Sequence, residues 1–461
     1  MDNDFRLPTK WEVIAVMILI LAILFFSLAQ LQLPIQLALF ACWFIVIGLG
    51  IKIGFRYSDM QHGLVKGIYS GLDAALILIG VGALIGSWIA GGIVPSIIYY
   101  GLSIMNKETF LASAFIICGV TSLTTGTSFG TVGTVGIAMM GIGQGFGFSL
   151  PLVAGSVISG AYLGDKLSPL SDTTIMTASL CQVGVIDHVK SMLYISIPAA
   201  GIAFVLFLIA GFNYGGSNVD LSQATLFREA ISTHFNTGIY LLLPAVVVIV
   251  LLVFRLPSLP VITFGALLGV VCAGAFQNLN TLDSVRSLYS GSLIETDAAF
   301  INTLLNRGGI ESMYGVIVLI MFALGLGGLM RKVGILQVIG NQLLAWADTV
   351  GKLTTSTILS GFFGNFFGGA AYVSLITAST LTEKRYSSMG IDRRVLSRNT
   401  EAGGTVTTPM VPWTDGGIFM ATTLGVSTIS YLPFLWYNIL VLLIAIIFGQ
   451  FNIAIWYTEP E

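Results

Sequence analysis

The chain has 461 residues and a formal net charge of −2 at neutral pH. Hydrophobic residues make up 55% of it and charged residues only 9%, whereas an ordinary soluble domain carries roughly 25% charged residues. This composition excludes a water-soluble globular fold, because too little polar surface is available to face water. The sequence therefore predicts an integral membrane protein.

Hydrophobic segments recur along the chain at a length that can cross a bilayer, which takes roughly 20 apolar residues. Gly and Pro interrupt them and strand-like alternation is absent, so we predict an all-α protein with about 11–13 hydrophobic segments and broken or re-entrant helices rather than a barrel. The first segment is too long for a signal-peptide core and is expected to be retained. The segments lie near residues 11–30, 33–51, 71–92, 109–125, 135–163, 191–212, 237–254, 258–276, 313–330, 355–380, 402–425 and 431–456.

Lys and Arg cluster in some of the connections, and such clusters mark the cytoplasmic side of a membrane. The amino terminus is therefore predicted in the cytoplasm. The connection 277–312 is mostly acidic and is predicted to be external. The basic residues of the cytoplasmic connections are Arg6, Lys10, Lys52, Arg56, Lys66, Arg331, Lys332, Lys384, Arg385, Arg393 and Arg394, and the acids of the external connection are Asp283, Glu295, Asp297 and Glu311.

An internal repeat is visible at a displacement of 243 residues. This displacement relates PLSD at 169–172 to PWTD at 412–415, SGA at 159–161 to AGG at 402–404, and Gly126 to Gly369. The first copy follows a cytoplasmic connection and the second an external one, which predicts inverted repeats with a substrate site at their mid-membrane interface. The predicted units are an N-terminal transmembrane hairpin (1–66), a first inverted repeat (67–212), connecting spans with an external loop (213–309) and a second inverted repeat (310–461).

Charge returns abruptly after a long uncharged run. Residues 109–164 contain no Asp, Glu, Lys or Arg, and the stretch GDKLSPLSDTT at 164–174 then holds two aspartates and a lysine. Ionisable groups at membrane depth are costly and usually functional, so we expect an ion site here and at matching polar positions of the second repeat. The candidates are Thr127, Ser128, Asp165, Ser168, Ser171 and Asp172 in the first repeat and Asn365, Glu401, Thr414 and Asp415 in the second.

The candidate side chains share one chemistry. Carboxylates, hydroxyls and backbone carbonyls freed by Gly and Pro are hard oxygen donors, which suit Na⁺ and H⁺ better than softer metals. Asp172, Asp415 and Glu401 are the predicted Na⁺ ligands. Burial favours a neutral carboxyl, so a proton and a sodium ion would compete for one site, and such competition gives antiport. We expect Na⁺ as a transported ion, no cofactor and no enzymatic activity.

The motifs resemble those of a known family. LGDKLSPLSDTTIMTAS, TTGTSFGTVGTVGIA and SRNTEAGGTVTTPMVPW are similar to the NhaC family of bacterial Na⁺/H⁺ antiporters, and the resemblance covers nearly the whole chain. It implies an inverted-repeat ion-transporter fold in the bacterial inner membrane and exchange of Na⁺ for H⁺ by alternating access, with Li⁺ as a further candidate ion. Similar proteins also exchange malate for lactate together with Na⁺ and H⁺, so organic-acid exchange is the alternative function. The positions that fall on the family pattern are Asp165, Ser168, Pro169, Ser171, Asp172, Glu401, Gly404, Thr405, Pro409, Pro412 and Trp413.

The chain departs from that family pattern at one place. After the Pro-Trp pair the family more often resembles Asn-Thr-Cys-Gly, whereas this chain has Thr414, Asp415, Gly416 and Gly417. The departure adds an acid next to the predicted ion site. It leaves ion selectivity and stoichiometry open.

Several acidic candidates also have a structural interpretation. Asp172 and Asp415 could be helix N-caps, since Asp accepts hydrogen bonds from free backbone N–H groups. Asp165 could pair with a nearby Lys or Arg at a helix end. Asp73, a lone acid in SGLDAALILIG, could lie on a proton pathway or at the membrane boundary.

Glu401 has a structural alternative of its own. It lies three residues after Arg398, and residues at this spacing meet on one helix face, so an ion pair between them would explain the acid without transport. Lys166 is predicted to be a boundary residue or a counter-charge rather than an ion ligand.

Two other functional classes have weaker support from the sequence. GTSFG at 126–130 matches a serine-nucleophile pattern, and TVGTVG at 131–136 resembles a potassium filter, but a filter needs four such loops. We expect the histidines to lie in connecting loops beyond reach of Ser128, which disfavours a hydrolase. The expected partners are Na⁺, H⁺ and the lipid bilayer, with no nucleic acid, and a homodimer stays open. The three histidines are His62, His188 and His234.

Overall fold

The computed structural model describes residues 6–31, 33–215, 221–254, 256–292 and 308–458. Within these ranges the chain is helical, and the β-structure consists of an isolated bridge between Ile391 and Tyr457. The all-α prediction is confirmed. Glu295, Asp297 and Arg307 of the predicted external connection lie outside the described residues.

The helices are numbered in chain order. They are α1 (Lys10–Phe25), α2 (Ile35–Lys52), α3 (Tyr57–Tyr69), α4 (Leu72–Ala90), α5 (Ile93–Ile104), α6 (Phe110–Thr125), α7 (Ser128–Thr131), α8 (Ile137–Gly145), α9 (Leu150–Leu167), α10 (Asp172–Leu180), α11 (Val185–Gly215), α12 (Leu221–His234), α13 (Leu243–Val253), α14 (Ser258–Phe276), α15 (Thr281–Ser290), α16 (Tyr314–Val333), α17 (Ile335–Trp346), α18 (Val350–Gly368), α19 (Ala371–Ser388), α20 (Arg393–Gly403), α21 (Asp415–Leu424), α22 (Thr428–Tyr431) and α23 (Trp436–Gln450). Short π-helical or 3₁₀ turns join several of them, at Phe26–Gln30, Val132–Gly136, Ile239–Leu242, Ile310–Met313, Thr405–Met410 and Leu432–Phe434.

Long apolar helices and broken helices both occur, as predicted. Among the described residues four helices are long and apolar enough to cross a membrane, and three further pairs are bent by 70°, 97° and 88° at a short break. Shorter apolar helices complete the bundle. The long helices are Ile35–Lys52, Val185–Asn213, Ser258–Phe276 and Ile310–Val333, and the bent pairs are Ala75–Ala90 with Ile93–Ile104, Arg228–His234 with Ile239–Val253, and Asp415–Leu424 with Thr428–Phe434.

Several of the predicted hydrophobic segments are not continuous helices, and 355–380 is divided between α18 and α19. The segment 135–163 is divided between α8 and α9, and the segment 402–425 passes through a 3₁₀ turn and a break before α21 begins at Asp415. Hydrophobicity reports which residues avoid water, but Gly and Pro within the segment decide where the helix stops. These breaks place polar residues inside the bundle.

The displacement of 243 residues also relates helix ends. Helix α6 ends at Gly126 and α18 at Gly369, and both glycines have left-handed backbone, with φ of +70° and +73°. The backbone N–H of each glycine donates to a carbonyl four residues earlier at 2.8 Å. A left-handed residue closes a helix without side-chain strain only when it is Gly. The boundaries of the predicted units and their opposite membrane orientation stay predictions.

The aligned tripeptides lie where helices touch most closely. Gly160 of α9 faces the backbone of Phe115 in α6, and Gly403 of α20 faces the backbone of Ile358 in α18. A Cβ at either glycine would collide with that backbone. Small residues allow helices in membranes to approach to backbone contact, and this packing fixes the end of α9, which carries Asp165.

Candidate functional site

A cavity of about 150 Å³ lies where helices from both copies of the repeat begin or end. Its walls come from the starts of α7, α10, α19 and α21, from the end of α9 and from the start of α4. The residues that line it are Ser70, Asp73, Ile77, Thr127, Ser128, Phe129, Tyr162, Asp165, Asp172, Thr173, Ala371, Tyr372, Thr405, Thr408 and Asp415. The structure therefore brings six of the predicted residues to one cavity, which are Asp73, Thr127, Ser128, Asp165, Asp172 and Asp415.

Asp165 is the most enclosed acid of the first copy. It is 3% exposed, and its Oδ2 accepts a hydrogen bond from the Ser128 hydroxyl at 2.9 Å. Its other oxygen, Oδ1, has no hydrogen-bond partner, and Asp165 forms no ion pair with any described residue. The alternative of a Lys or Arg partner for Asp165 is therefore wrong for the described chain. A buried carboxylate oxygen without a donor needs a cation, a proton or water.

Asp172 and Asp415 occupy equivalent places in their helices. Each is the first residue of a helix, α10 or α21, and each Oδ1 accepts from the backbone N–H of the next residue, at 2.9 Å from Thr173 and 2.7 Å from Gly416. The N-cap positions themselves belong to Ser171 and Thr414. The N-cap interpretation was therefore misplaced by one residue, although both acids do bind backbone N–H groups.

The second oxygens of these two acids have different partners. The Tyr372 hydroxyl donates to Oδ2 of Asp172, which joins the start of α19 to the start of α10. Oδ2 of Asp415 accepts from the backbone N–H of Ala371 at 3.4 Å. Asp172 is exposed to the cavity, whereas Asp415 is 7% exposed. Both acids thus border the same space from opposite copies of the repeat.

Asp73 and Thr127 complete the polar wall. Asp73 lies in the first turn of α4 and is exposed. Thr127 caps α7 by accepting the backbone N–H of Gly130 at 3.2 Å, which positions the neighbouring Ser128. The cavity is the feature that connects Asp73 to the buried acids.

The remaining hydroxyl and amide candidates support the wall without lining it. Asn365 donates to the Gly404 carbonyl at 2.5 Å and accepts from Thr408 at 3.4 Å. Thr414 donates to the Thr408 carbonyl at 2.6 Å. Since Thr408 itself lines the cavity, Asn365 and Thr414 hold that part of the wall in place.

Ser168 and Ser171 lie in the turn between α9 and α10. Both are fully buried. Ser168 accepts the backbone N–H of Leu170 at 3.3 Å, and the Ser171 hydroxyl lies 3.0 Å from the hydroxyl of Thr173, which lines the cavity. These serines shape the turn that separates Asp165 from Asp172.

Glu401 lies outside the cavity. Its Oε1 is 2.5 Å from Nζ of Lys166 and its Oε2 accepts from the Thr177 hydroxyl, and both charged side chains are fully buried. Arg398 instead donates to the Ala454 carbonyl at 3.1 Å. The proposed Arg398–Glu401 pair is therefore wrong, and Lys166 is the counter-charge. The pair joins α9 of the first copy to α20 of the second.

The cavity is electrostatically one-sided. Among the described residues that line it, four are aspartates and none is Lys, Arg or His. Adjacent carboxylates disfavour each other's ionisation unless a cation or a proton is bound between them. In the part of the chain that the structure describes, no three His, Cys, Asp or Glu side chains converge as a metal site. Hydroxyl and carbonyl oxygens would therefore have to complete the coordination of an ion.

The positions of the histidines correct one expectation. His62, His188 and His234 all lie in helices rather than in loops, and His188 is fully buried. The His188 ring is 3.0 Å from the Ser397 hydroxyl through Nδ1. The hydrogen-bond partner of Ser128 is Asp165, so the described chain provides no serine–histidine pair at GTSFG.

Comparison with known proteins assigns the family. The Na⁺/H⁺ antiporter family matches residues 7–191 and 160–453. The chain belongs to this family.

The antiporter is 51% identical over 457 residues to the "Malate-2H(+)/Na(+)-lactate antiporter" of Bacillus subtilis, covering 99% of this chain and 98% of that protein. It is 34% identical over 436 residues to the "Na(+)/H(+) antiporter NhaC" of Alkalihalophilus pseudofirmus, covering 94% of each. A solved structure of Neisseria gonorrhoeae MtrF is 14% identical, with a TM-score of 0.38, and covers 96% of this chain and 95% of that chain.

Sequence reasoning missed two tyrosines of the antiporter's cavity. Tyr372 lies 243 residues after Phe129, which also lines the cavity, so the repeat displacement could have identified it. Tyr162 precedes Asp165 by three residues on α9, and this spacing places both on one helix face. A Cβ at Gly416 would lie 2.7 Å from the Tyr162 hydroxyl. The glycine that departs from the family pattern therefore makes room for this tyrosine beside Asp415.

Proposed function

We propose that this antiporter exchanges Na⁺ for H⁺ at the cavity between the two copies of its repeat. The observation that supports the proposal is the set of four aspartates, Asp73, Asp165, Asp172 and Asp415, around one cavity with no basic lining residue. A small cation is the species that such a site stabilises, and protonation of the same carboxylates would release it. Na⁺ is the transported substrate rather than a resident cofactor.

The most direct role in this proposal belongs to three aspartates, which are Asp165, Asp172 and Asp415. Asp165, with its unpartnered Oδ1 and its bond to Ser128, offers a carboxylate and a hydroxyl oxygen to Na⁺. Asp172 and Asp415 each keep one oxygen on a backbone N–H, so their helices fix the position of the carboxylates. Asp73, which is exposed, would pass protons between the cavity and its opening. Alternating access of the cavity to the two sides would couple the ions.

Exchange of small organic acids is a second candidate function. It is favoured by the 51% identity to a malate/lactate antiporter over nearly the full chain. The cavity of about 150 Å³ also exceeds what a single water or ion requires. Hydroxyls of Ser128, Tyr372 and Thr408 reach its wall and would bind the carboxylate and hydroxyl oxygens of such a substrate.

Transport by purified protein in sealed proteoliposomes separates the two functions. With a preformed pH gradient reported by a pH-sensitive dye, added Na⁺ is expected to dissipate the gradient and K⁺ is not. If Na⁺ acts alone, the exchange is Na⁺ for H⁺; if it acts only with malate on one side and lactate on the other, organic-acid exchange is the function. A gradient that responds equally to K⁺ and Na⁺ would contradict both, and current without any counter-gradient would identify a channel.

We further propose that the amino terminus faces the cytoplasm. Helix α16 has 20 residues and spans about 30 Å at 1.5 Å per residue. Near its start, the N–H of Gly309 donates to the Gly82 carbonyl at 2.7 Å, and Gly86 packs against Ser287 of α15. At its other end, Lys332 packs against Gly63 of α3. The acidic connection and the basic connections therefore lie at opposite ends of a spanning helix, as the positive-inside rule requires.

Single cysteines introduced at Ser290 and Ser387 test this orientation. The four natural cysteines are buried, whereas both serines are exposed. In intact cells a membrane-impermeant maleimide is expected to label Ser290→Cys at once and Ser387→Cys only after permeabilisation. The reverse pattern would show that the amino terminus is external.

A further inference from the structure

A second, larger opening lies along α19, beyond the residues of this helix that line the cavity. This cleft has a volume of about 770 Å³ and is formed by α19 from Ile376 to Ser388, by α17 and by the end of α16. Its described lining includes Arg331, Lys384 and Arg385 and contains no Asp or Glu. None of the assigned transport residues reaches it.

The three basic residues of the cleft are available to a ligand. In the described part of the chain none of them forms an ion pair. Arg385 donates from Nε to the Ala347 carbonyl at 2.8 Å, which fixes the guanidinium, and its two terminal nitrogens have no hydrogen-bond partner among the described residues. Arg331 is half-buried and Lys384 is exposed. Convergent cations of this kind suit a phosphate group.

The cleft changes from apolar to basic along its length. Ile376 and Leu381 line it on α19, and Leu336 lines it on α17. From Ile376 to Arg385 the helix rises about 14 Å at 1.5 Å per residue. Ile376 is 38% exposed although it is large and hydrophobic. An apolar wall that ends in a basic rim matches an acyl chain below a charged headgroup.

We propose that this cleft binds an anionic phospholipid, with the headgroup phosphate on Arg331, Lys384 and Arg385 and an acyl chain along Ile376 and Leu381. Charge complementarity supports an anion, since basic clefts between membrane helices attract anionic lipid headgroups. The exposed Ile376 and the partly exposed Leu381 support a lipid over a free phosphate, which would leave these apolar side chains uncovered. The proposal is independent of which ions or acids the antiporter carries.

Binding of palmitoyl-oleoyl phosphatidylglycerol to the purified full chain in detergent, measured by native mass spectrometry, tests the lipid site. Phosphatidylglycerol is expected to bind at least about tenfold more tightly than phosphatidylcholine, because each Lys or Arg near an anionic headgroup contributes about 1 kcal/mol. The triple variant Arg331→Gln/Lys384→Gln/Arg385→Gln is expected to lose that preference. The single variant Lys384→Gln, at an exposed position that does not threaten folding, is expected to lose part of it.

A matched triple variant controls for overall charge. Arg56, Lys66 and Lys190 are exposed and do not line the cleft, so Arg56→Gln/Lys66→Gln/Lys190→Gln is expected to keep the preference for phosphatidylglycerol. Equal loss in the two triple variants, or no preference in the unmodified chain, would overturn the proposal. Glycerol 3-phosphate carries the headgroup charge without acyl chains and is expected to bind at least about tenfold more weakly than the lipid. Equal binding would identify an anion site instead and would also overturn it.

Discussion

Replacing Lys166 with Met is expected to lower the free energy of unfolding by about 3–5 kcal/mol, because the Glu401 carboxylate would lose its counter-charge in a fully buried place. Glu401→Gln is expected to destabilise the protein in the same direction, since the Lys166 ammonium would be left buried and unpaired. Thermal unfolding of the purified protein in detergent measures both effects. A melting temperature unchanged in either variant would contradict the structural role of the pair.

Two further variants show whether the loss of stability comes from leaving one charge unpaired and whether it depends on burial. The double variant Lys166→Met/Glu401→Leu removes both charges and is expected to regain most of the lost stability, as apolar replacements of buried ion pairs commonly do. The exposed pair Lys190 and Asp187, 4.0 Å apart, is the matched control. Lys190→Met is expected to change stability by less than about 1 kcal/mol.

The same variants separate stability from transport at Glu401. If Lys166→Met/Glu401→Leu is stable and still exchanges ions, the pair is a structural link between the two copies of the repeat. If it is stable and inactive, Glu401 takes part in coupling although it does not line the cavity. Exchanging the charges of Arg398 and Glu401 would not answer this question, since these side chains do not pair.

Asp172→Asn and Asp415→Asn are each expected to reduce Na⁺-dependent proton movement to the background of empty vesicles. Asn keeps the volume of the side chain and can still accept the backbone N–H of Thr173 or Gly416, but it cannot carry the charge that binds Na⁺ or the proton that replaces it. Dye-reported pH recovery in proteoliposomes is the measurement. Normal insertion and melting temperature would show that the loss is functional.

An exposed acid outside the cavity provides the control for these variants. The side chain of Asp283 in α15 is 49% exposed and pairs with Arg286 at 3.4 Å on the surface. Asp283→Asn is expected to transport normally. If the double variant Asp172→Asn/Asp415→Asn retained exchange, both aspartates would be removed from the mechanism and Asp165 would be the carboxylate to test next.

The sequence predicted the helix ends that the repeat displacement relates and the helical bundle that the hydrophobic composition requires. A fixed displacement related Gly126 to Gly369 and Asp172 to Asp415, and the structure ends or begins helices at each of these positions. Hydrophobicity identified the helical bundle. Gly and Pro indicated broken helices, although hydrophobic runs alone did not give the break before α21.

Contacts between residues far apart in the sequence could not be predicted from local spacing or composition. Lys166 and Glu401 are 235 residues apart, so the rules for neighbours on one helix identified Arg398 as the partner instead. Tyr372 was overlooked because it carries no charge, although it binds Asp172. The cavity gathers residues by tertiary packing, which no local pattern encodes.

The two copies of the repeat that border the cavity differ in the hydrogen bonds at their helix starts. In the second copy the N–H of Asp415 donates to the Gly369 carbonyl at 2.9 Å, and the N–H of Ala371 donates to Asp415. In the described chain the corresponding bonds from Asp172 to Gly126 and from Ser128 to Asp172 are not formed. These two bonds tie the starts of α19 and α21 together in the second copy, whereas the starts of α7 and α10 lack both of them in the described chain. We therefore expect α7 and α10 to move relative to each other more readily than α19 and α21 when the site opens to the other side of the membrane.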